Sequence, residues 1–196
     1  MKLHDIQACL AFIRASERLK DVLRSAHTSS GKQESTAEHT WRLCLMAMVF
    51  EGEFRNIDIG KLLKICVIHD LGEALHGDIP AVDQAERPDK ADLERQDLVE
   101  LLGHLPEALR PGFLALWEEY ELGSSPEARL AKGLDKLETL LQHNQGRNPE
   151  GFDYAFNLAY GKKHMEAHPL FQAIRGLVDQ DTLDRATRPT SVPDLP

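Results

Sequence analysis

His39, the pair His69-Asp70, and Asp135 are the residues best suited to chemistry in this chain. His39 opens its most hydrophobic segment, His69-Asp70 ends an apolar one, and Asp135 interrupts a leucine-lined one. A buried ion without a partner is expensive, so four groups of this type imply a common partner. Two imidazoles and two carboxylates make a borderline-hard donor set. It suits Mn²⁺, Co²⁺, Fe²⁺, Ni²⁺, Mg²⁺ or Zn²⁺, and donor type does not choose among them. The spacing does not decide the matter: 30 positions separate His39 from His69, and 65 separate Asp70 from Asp135. On residue type alone, one metal ion and a buried salt-bridge network explain the set equally well. Of the remaining histidines, His4, His27, His104, His164 and His168 lie in polar surroundings and read as surface residues, while His76 and His143 fit either reading.

Helices must position these residues, because apolar residues recur at helical rather than strand spacing. Ile6, Cys9, Leu10 and Ile13 share one face of a first helix, and the phase then slips to Leu19, Val22 and Leu23. Residues 24 to 35 are polar and rich in Gly and Ser, which predicts a loop. Ser35 or Thr36 caps the next helix, with Glu38 in its first turn. That helix is apolar nearly all round from Leu43 to Phe50, which predicts a central position with Trp41, Met46 and Met48 in the core. Asp58 caps a third helix, where Leu62, Ile65, Cys66 and His69 follow the i, i+3, i+4, i+7 rule. Turns follow at Gly72, Gly77 and Pro80. The charged run from Glu86 to Glu100 reads as a loop, then a solvated helix that could cover the site. A helix with an early proline spans 105–122. Ser125 and Pro126 start another, with Leu130, Leu134, Leu137 and Leu141 on its buried face. Two shorter helices follow, and residues 181–196 read as a disordered, proline-rich tail to a single domain over 1–180.

Composition limits the function. The 196 residues contain 42% apolar and 28% charged residues, a globular balance that excludes general disorder. Lys and Arg number 23 against 32 Asp and Glu, a net charge of −9. An acidic chain is poorly matched to a nucleic-acid polymer or an anionic membrane. It still allows a local basic pocket for one phosphate. No long apolar run is present, so neither a secretory leader nor a membrane span is expected. Cys9, Cys44 and Cys66 read as reduced core thiols of a cytoplasmic protein.

The order His39, His69-Asp70, Asp135 resembles the HD superfamily of metal-dependent phosphohydrolases. The strings LKDVLRSAHTSSGKQESTAEHTWRLCLMAM, VIHDLGEALHGDIP and LDKLETLLQ resemble its subgroup of bacterial 5′-deoxynucleotidases over about residues 15 to 145. The resemblance implies an all-α, single-domain helical bundle. It makes His39, His69, Asp70 and Asp135 the ligands of one divalent ion. Glu73 would position or deprotonate the attacking water, and Asp78 would be a second acid beside it. Arg24 would contact the substrate phosphate. The loop between Arg24 and His39 is longer than in those enzymes, so Arg18 and Lys32 are alternatives. The Arg-Trp pair that favours 2′-deoxyribose in those relatives is missing, and the only nearby tryptophan is Trp41.

The expected activity is removal of the 5′-phosphate from a (deoxy)nucleoside 5′-monophosphate through a metal-activated water. A homodimer is expected from the resemblance, with apolar residues of 151–178 as an interface or as core. Other readings remain. The same core hydrolyses cyclic nucleotides or (p)ppGpp in other groups. A di-iron oxygenase of this fold needs further histidines before the last aspartate, where only His76 and His104 stand. A non-catalytic helical module needs none of the ligands.

Overall fold

The computed structural model describes residues 1–78 and 90–187. Helix α1 (Leu3–Ala15) runs into a 3₁₀ turn (Ser16–Lys20), then strands β1 (Leu23–His27) and β2 (Gln33–Ser35). Helices α2 (Thr36–Val49), α3 (Ile59–Ile68), the short α4 (Glu73–His76), α5 (Lys90–Leu102), α6 (Arg110–Leu122) and α7 (Pro126–Gln145) follow. The short α8 (Tyr154–Asn157), a 3₁₀ turn (Lys162–Ala167) and α9 (Pro169–Thr187) complete the described chain. The described residues are all-α apart from one hairpin.

The capping residues act as their types predict. The Ser35 hydroxyl accepts the Glu38 amide at 3.3 Å, and Glu38 accepts the Ser35 amide at 2.9 Å, a reciprocal capping box. Asp58 accepts the Lys61 amide at 2.9 Å, and Ser125 accepts the Ala128 amide at 3.1 Å. These bonds fix where α2, α3 and α7 begin, and so where their ligands point.

The central helix is α7, which packs against α2, α3, α6 and α9. Leu130, Leu134, Leu137 and Leu140 on α7 are buried with Leu43, Leu62, Ile65 and Phe171. A second cluster joins Phe12, Leu19, Ile68, Leu98, Leu101 and Trp117. Helix α3 bridges the two, with Ile65 and Cys66 in the first and Ile68 in the second. His69 therefore emerges between two packed cores.

Several sequence expectations change. Residues 24–35 contain an antiparallel hairpin, with Leu23 opposite Ser35 and His27 opposite Gln33. Its inward side carries Arg24 and Glu34 as well as Ala26, so the usual apolar alternation is absent. The nearly all-apolar α2 is not the central element. It buries His39, Leu43, Met46 and Ala47 but exposes Trp41, Leu45, Met48 and Val49. Trp41 and Met48 are thus surface residues, and only Met46 of the three is core. The α1 stripe points outward too: Ile6, Leu10 and Ile13 are exposed, and Phe12 makes the core contact. Helix α5 is not simply solvated, since it buries Asp97, Leu98, Leu101 and Leu102. Residues 105–109 precede α6 rather than belonging to it, and Pro111 falls in its first turn. Phe171 and Val178 are core, which leaves Leu177 as the exposed large apolar residue of 151–178. Helix α9 continues through Thr187, past the expected boundary at 180, and residues 188–196 lie outside the described residues. The expected turn at Pro80 and residues 86–89 of the charged run also lie outside them.

Arg175 ties the C-terminal elements together. Its guanidinium donates to the carbonyls of Tyr160 at 2.6 Å, Asn157 at 2.8 Å and Leu158 at 3.0 Å, and to Asp179 at 2.6 Å. It is buried, so truncation strands several acceptors. Arg175→Ala is expected to lower stability by about 3 kcal/mol, a drop of roughly 6–12 °C in Tm for a chain of this size, measured by thermal unfolding.

Candidate metal centre

Donor atoms of His39, His69 and Asp70 lie within 4.8 Å of one another, and Asp135 reaches this group through His39. His39 lies in the first turns of α2 and is fully buried. His69 caps the C-terminus of α3, and Asp70 follows it. Asp135 is midway along α7. Nε2 of His39 lies 3.3 Å from Oδ1 of Asp135 and 3.8 Å from Oδ2 of Asp70. Nε2 of His69 lies 3.0 Å from the same Asp70 oxygen.

The outer atoms of these groups are already occupied. Nδ1 of His69 donates to the Cys66 carbonyl at 2.7 Å. Nδ1 of His39 bonds Glu138. Oδ2 of Asp135 receives the Tyr120 hydroxyl at 2.7 Å and the Lys136 ammonium at 2.8 Å. What remains free converges: both Nε2 atoms are buried and have no hydrogen-bond partner. Buried polar atoms are nearly always paired, so two orphans facing two carboxylates fit a cation held between them. The donor set suits a divalent ion of the first transition row or Mg²⁺.

The charges reinforce this. Burial alone would raise both aspartates, but their neighbours win. His69, His39 and Arg24 hold Asp70 below the usual carboxylate range. Lys136, His39 and His69 hold Asp135 below it. Both are therefore anionic. Glu73 behaves oppositely: burial, then repulsion from Asp70 and Asp78, pushes it well above the usual range against Lys90 and Arg24. Its Oε2 accepts the Thr36 hydroxyl at 3.2 Å, and Lys90 stands 3.7 Å from Oε1.

The centre opens into a cavity of about 620 Å³. Glu73, Asp78 and Arg24 all line it, as the resemblance implies. Arg24 reaches it from β1, placing its guanidinium 3.5 Å from Asp70 and 3.2 Å from the Thr139 hydroxyl. Glu34, its partner on β2, lies 3.7 Å away. The alternatives fail on placement. Lys32, at the hairpin turn, is exposed and pairs with the capping Glu38. Arg18 is exposed on the 3₁₀ turn after α1, away from the cavity. His76 pairs with Asp97 at 2.7 Å with its side chain exposed, and His104 is exposed beyond α5. Neither lines the cavity.

Sequence reasoning missed Lys90, Tyr120, Lys132 and Thr139 as cavity residues, and left Lys136 undecided. It also passed over Glu138, which is 1% exposed. The signal that singled out Asp135, a carboxylate among leucines, applied equally to Glu138 three residues later.

Residues 16–175 match the HD domain family. The chain belongs to the HD-domain family. Among its relatives, the 5′-deoxynucleotidase HDDC2 of Danio rerio is 34% identical over 146 residues, covering 72% of this chain and 71% of the relative. The protein of the same name from Homo sapiens is 32% identical over 160 residues, covering 76% and 78%. A predicted metal-dependent phosphohydrolase from Magnetospirillum magnetotacticum, known from a crystal structure, superposes with a TM-score of 0.79 at 29% identity. That match covers 95% of this chain and 100% of the other. The matched span contains His39, His69, Asp70 and Asp135.

An ion that binds only the folded chain stabilises it by mass action. At about 100 times its Kd, Mn²⁺ or Co²⁺ is expected to add roughly 2.7 kcal/mol to the metal-stripped protein. That corresponds to a Tm rise of roughly 5–10 °C. Differential scanning fluorimetry with Asp70→Ala alongside checks it; the variant should show no comparable rise.

Proposed function

We propose that this chain is a metal-dependent phosphohydrolase that removes the 5′-phosphate from (deoxy)nucleoside 5′-monophosphates. One observation carries the reading. His69, Asp70 and Asp135 open onto the same cavity as a buried carboxylate held toward its protonated form and an arginine held toward its charged form. The names of the relatives support the substrate class.

Phosphate monoesters hydrolyse extremely slowly without catalysis, so barrier reduction must be large. A divalent ion held by the four ligands would acidify water and neutralise charge on the phosphoryl oxygens. The protein does the rest. Glu73 accepts a proton from the attacking water, and its raised pKa makes its ionised form the stronger base. Asp78 relays the proton that Glu73 took on to the departing 5′-oxygen, so both carboxylates return to their starting state. Arg24 and Lys136 hold nonbridging oxygens, and Thr139 braces the Arg24 guanidinium. The position after Arg24 is Ser25, and the exposed Trp41 does not line the cavity, so the wall offers no indole to the sugar.

A cytoplasmic location is proposed on three free cysteines, Cys9, Cys44 and Cys66. Among the described residues no helix is long and apolar enough to cross a membrane. A second copy of the chain is the proposed protein partner. Ile6, Leu10 and Ile13 form an exposed apolar row on α1 of the kind that association covers. Light scattering after size exclusion should give twice the chain mass, and Leu10→Asp should return it to one.

The activity is tested by phosphate release from 2′-deoxy- and ribonucleoside 5′-monophosphates. The metal-stripped protein receives Mn²⁺, Co²⁺, Mg²⁺ or Zn²⁺ in turn. Glu73→Gln is expected to lower kcat by about 10²–10⁴ while metal content stays constant. Arg24→Ala is expected to lower kcat/KM by about 10². No release with any ion, at one bound ion per chain, would defeat the nucleotide reading.

A further inference from the structure

The two histidine ligands are braced differently. His69 leans on a backbone carbonyl, which no substitution can remove. His39 leans on a side chain, Glu138, through Nδ1. Glu138 stands one turn after Asp135 on α7, so one helix face supplies both a ligand and the outer partner of another. Its second oxygen accepts Nε of Arg42 at 2.6 Å. Arg42 follows His39 by three residues on α2, and it also reaches Gln145 at 3.1 Å. The pairs His39/Arg42 and Asp135/Glu138 therefore lock α2 to α7 at the centre.

Glu34 adds a second buried carboxylate on the outer side. Donor atoms of Glu34, His39 and Glu138 all lie within 4.8 Å of one another. That cluster has two readings: a second cation bridged through the His39 ring, or an outer shell that holds a proton. The neighbouring arginines decide between them. Arg42 already neutralises Glu138, and Arg24 stands 3.7 Å from Glu34. A dication there would face two guanidinium groups, whereas a ring N–H needs only the carboxylate it already touches.

We propose that Glu138 is a positioning residue of the metal centre. It keeps a proton on Nδ1 of His39 and directs the Nε2 lone pair at the ion, while Arg42 holds Glu138 in place. This rests on the metal-centre reading of the four ligands. Carboxylate partners of this kind fix the ring, set its tautomer and raise its basicity. Their loss typically lowers metal affinity by about 10–100-fold.

Co²⁺ binding to the full chain tests it, using wild type, Glu138→Gln and Glu138→Leu. Affinity is measured by chelator competition, and stoichiometry by elemental analysis. Proton NMR of the Co²⁺-loaded protein counts shifted, solvent-exchangeable ring N–H signals. Wild type is expected to bind one ion and show two such signals, from His39 and His69. Glu138→Leu should lose the His39 signal to exchange and bind roughly 10–100-fold more weakly, with the His69 signal kept. Glu138→Gln still offers an accepting oxygen, so it should keep both signals and lose less affinity. Unchanged affinity with both signals in the leucine variant overturns the proposal. So does a second ion in wild type that disappears with Glu138. No Co²⁺ uptake by folded wild type overturns the metal-centre reading itself, and this proposal with it. If Glu138→Leu does not fold, the glutamine variant decides: a severalfold loss with both signals kept supports the proposal, and unchanged affinity overturns it.

Discussion

Charge buried in a leucine core has to be answered on the spot, and α7 is where this protein answers it. Asp135, Glu138, Thr139 and Gln142 form a second stripe along a helix whose Leu130, Leu134 and Leu137 fill the core. Asp135 meets His39, Glu138 meets His39 and Arg42, Thr139 meets Arg24, and Gln142 donates to the His27 carbonyl at 2.6 Å. Each contact crosses to α2 or β1. A one-residue shift in the register of α7 would rotate this stripe by about 100° and separate all of them together. The apolar stripe prevents that shift, because it would drag the leucines out of the core. Hydrophobic packing thus aligns the polar groups, which would otherwise repel or desolvate one another.

The same alignment brings both signs of charge into the cavity. Glu73, Asp78, Glu94 and Lys90 face it from the α4 and α5 side, while Asp135, Lys132, Lys136 and Lys163 face it from α7 and the turn after α8. Gly161 makes that turn possible. Its φ is +71°, and a Cβ there would lie 2.7 Å from the Lys136 side chain. The lysine stem therefore runs past bare backbone. Burial, then Lys136 and Lys132, push His164 down to about 4, so its ring is neutral where the lysines are charged.

The sequence was most legible where one residue type has one local role. Ser35, Asp58 and Ser125 cap helices because their short oxygens reach the third amide along. His69 extends the apolar face of α3 by period, and it is buried as that period implies. The ligand set was legible as an anomaly, polar groups in apolar runs, though the resemblance was needed to choose a metal over an ion-pair network. Longer-range choices were less visible. Both faces of α2 are apolar, so periodicity did not reveal that Trp41 and Met48 face outward. The hairpin was invisible because it buries Arg24 and Glu34 instead of alternating apolar residues. Lys32 and Arg18 have the right charge for a phosphate, but only the path of that hairpin shows that Arg24 turns inward and Lys32 does not.

The setting of Glu73 depends on how closely α5 approaches. A Cβ on Gly72 would lie 2.5 Å from the Glu94 carbonyl, a backbone atom that cannot swing away. Glycine at 72 is thus what lets the segment carrying Glu73 press against α5. That approach brings Lys90, itself 2.8 Å from Glu94, to the edge of the Glu73 carboxyl. Without Lys90, burial and the two aspartates would act on Glu73 with only Arg24 opposing them, and the group would hold its proton more tightly. With Lys90 hard against it, the carboxylate would ionise too readily to remain a strong base. A lysine shared with Glu94 is an intermediate arrangement. It moderates Glu73 without forming a tight pair with it, and the missing side chain at position 72 sets the distance.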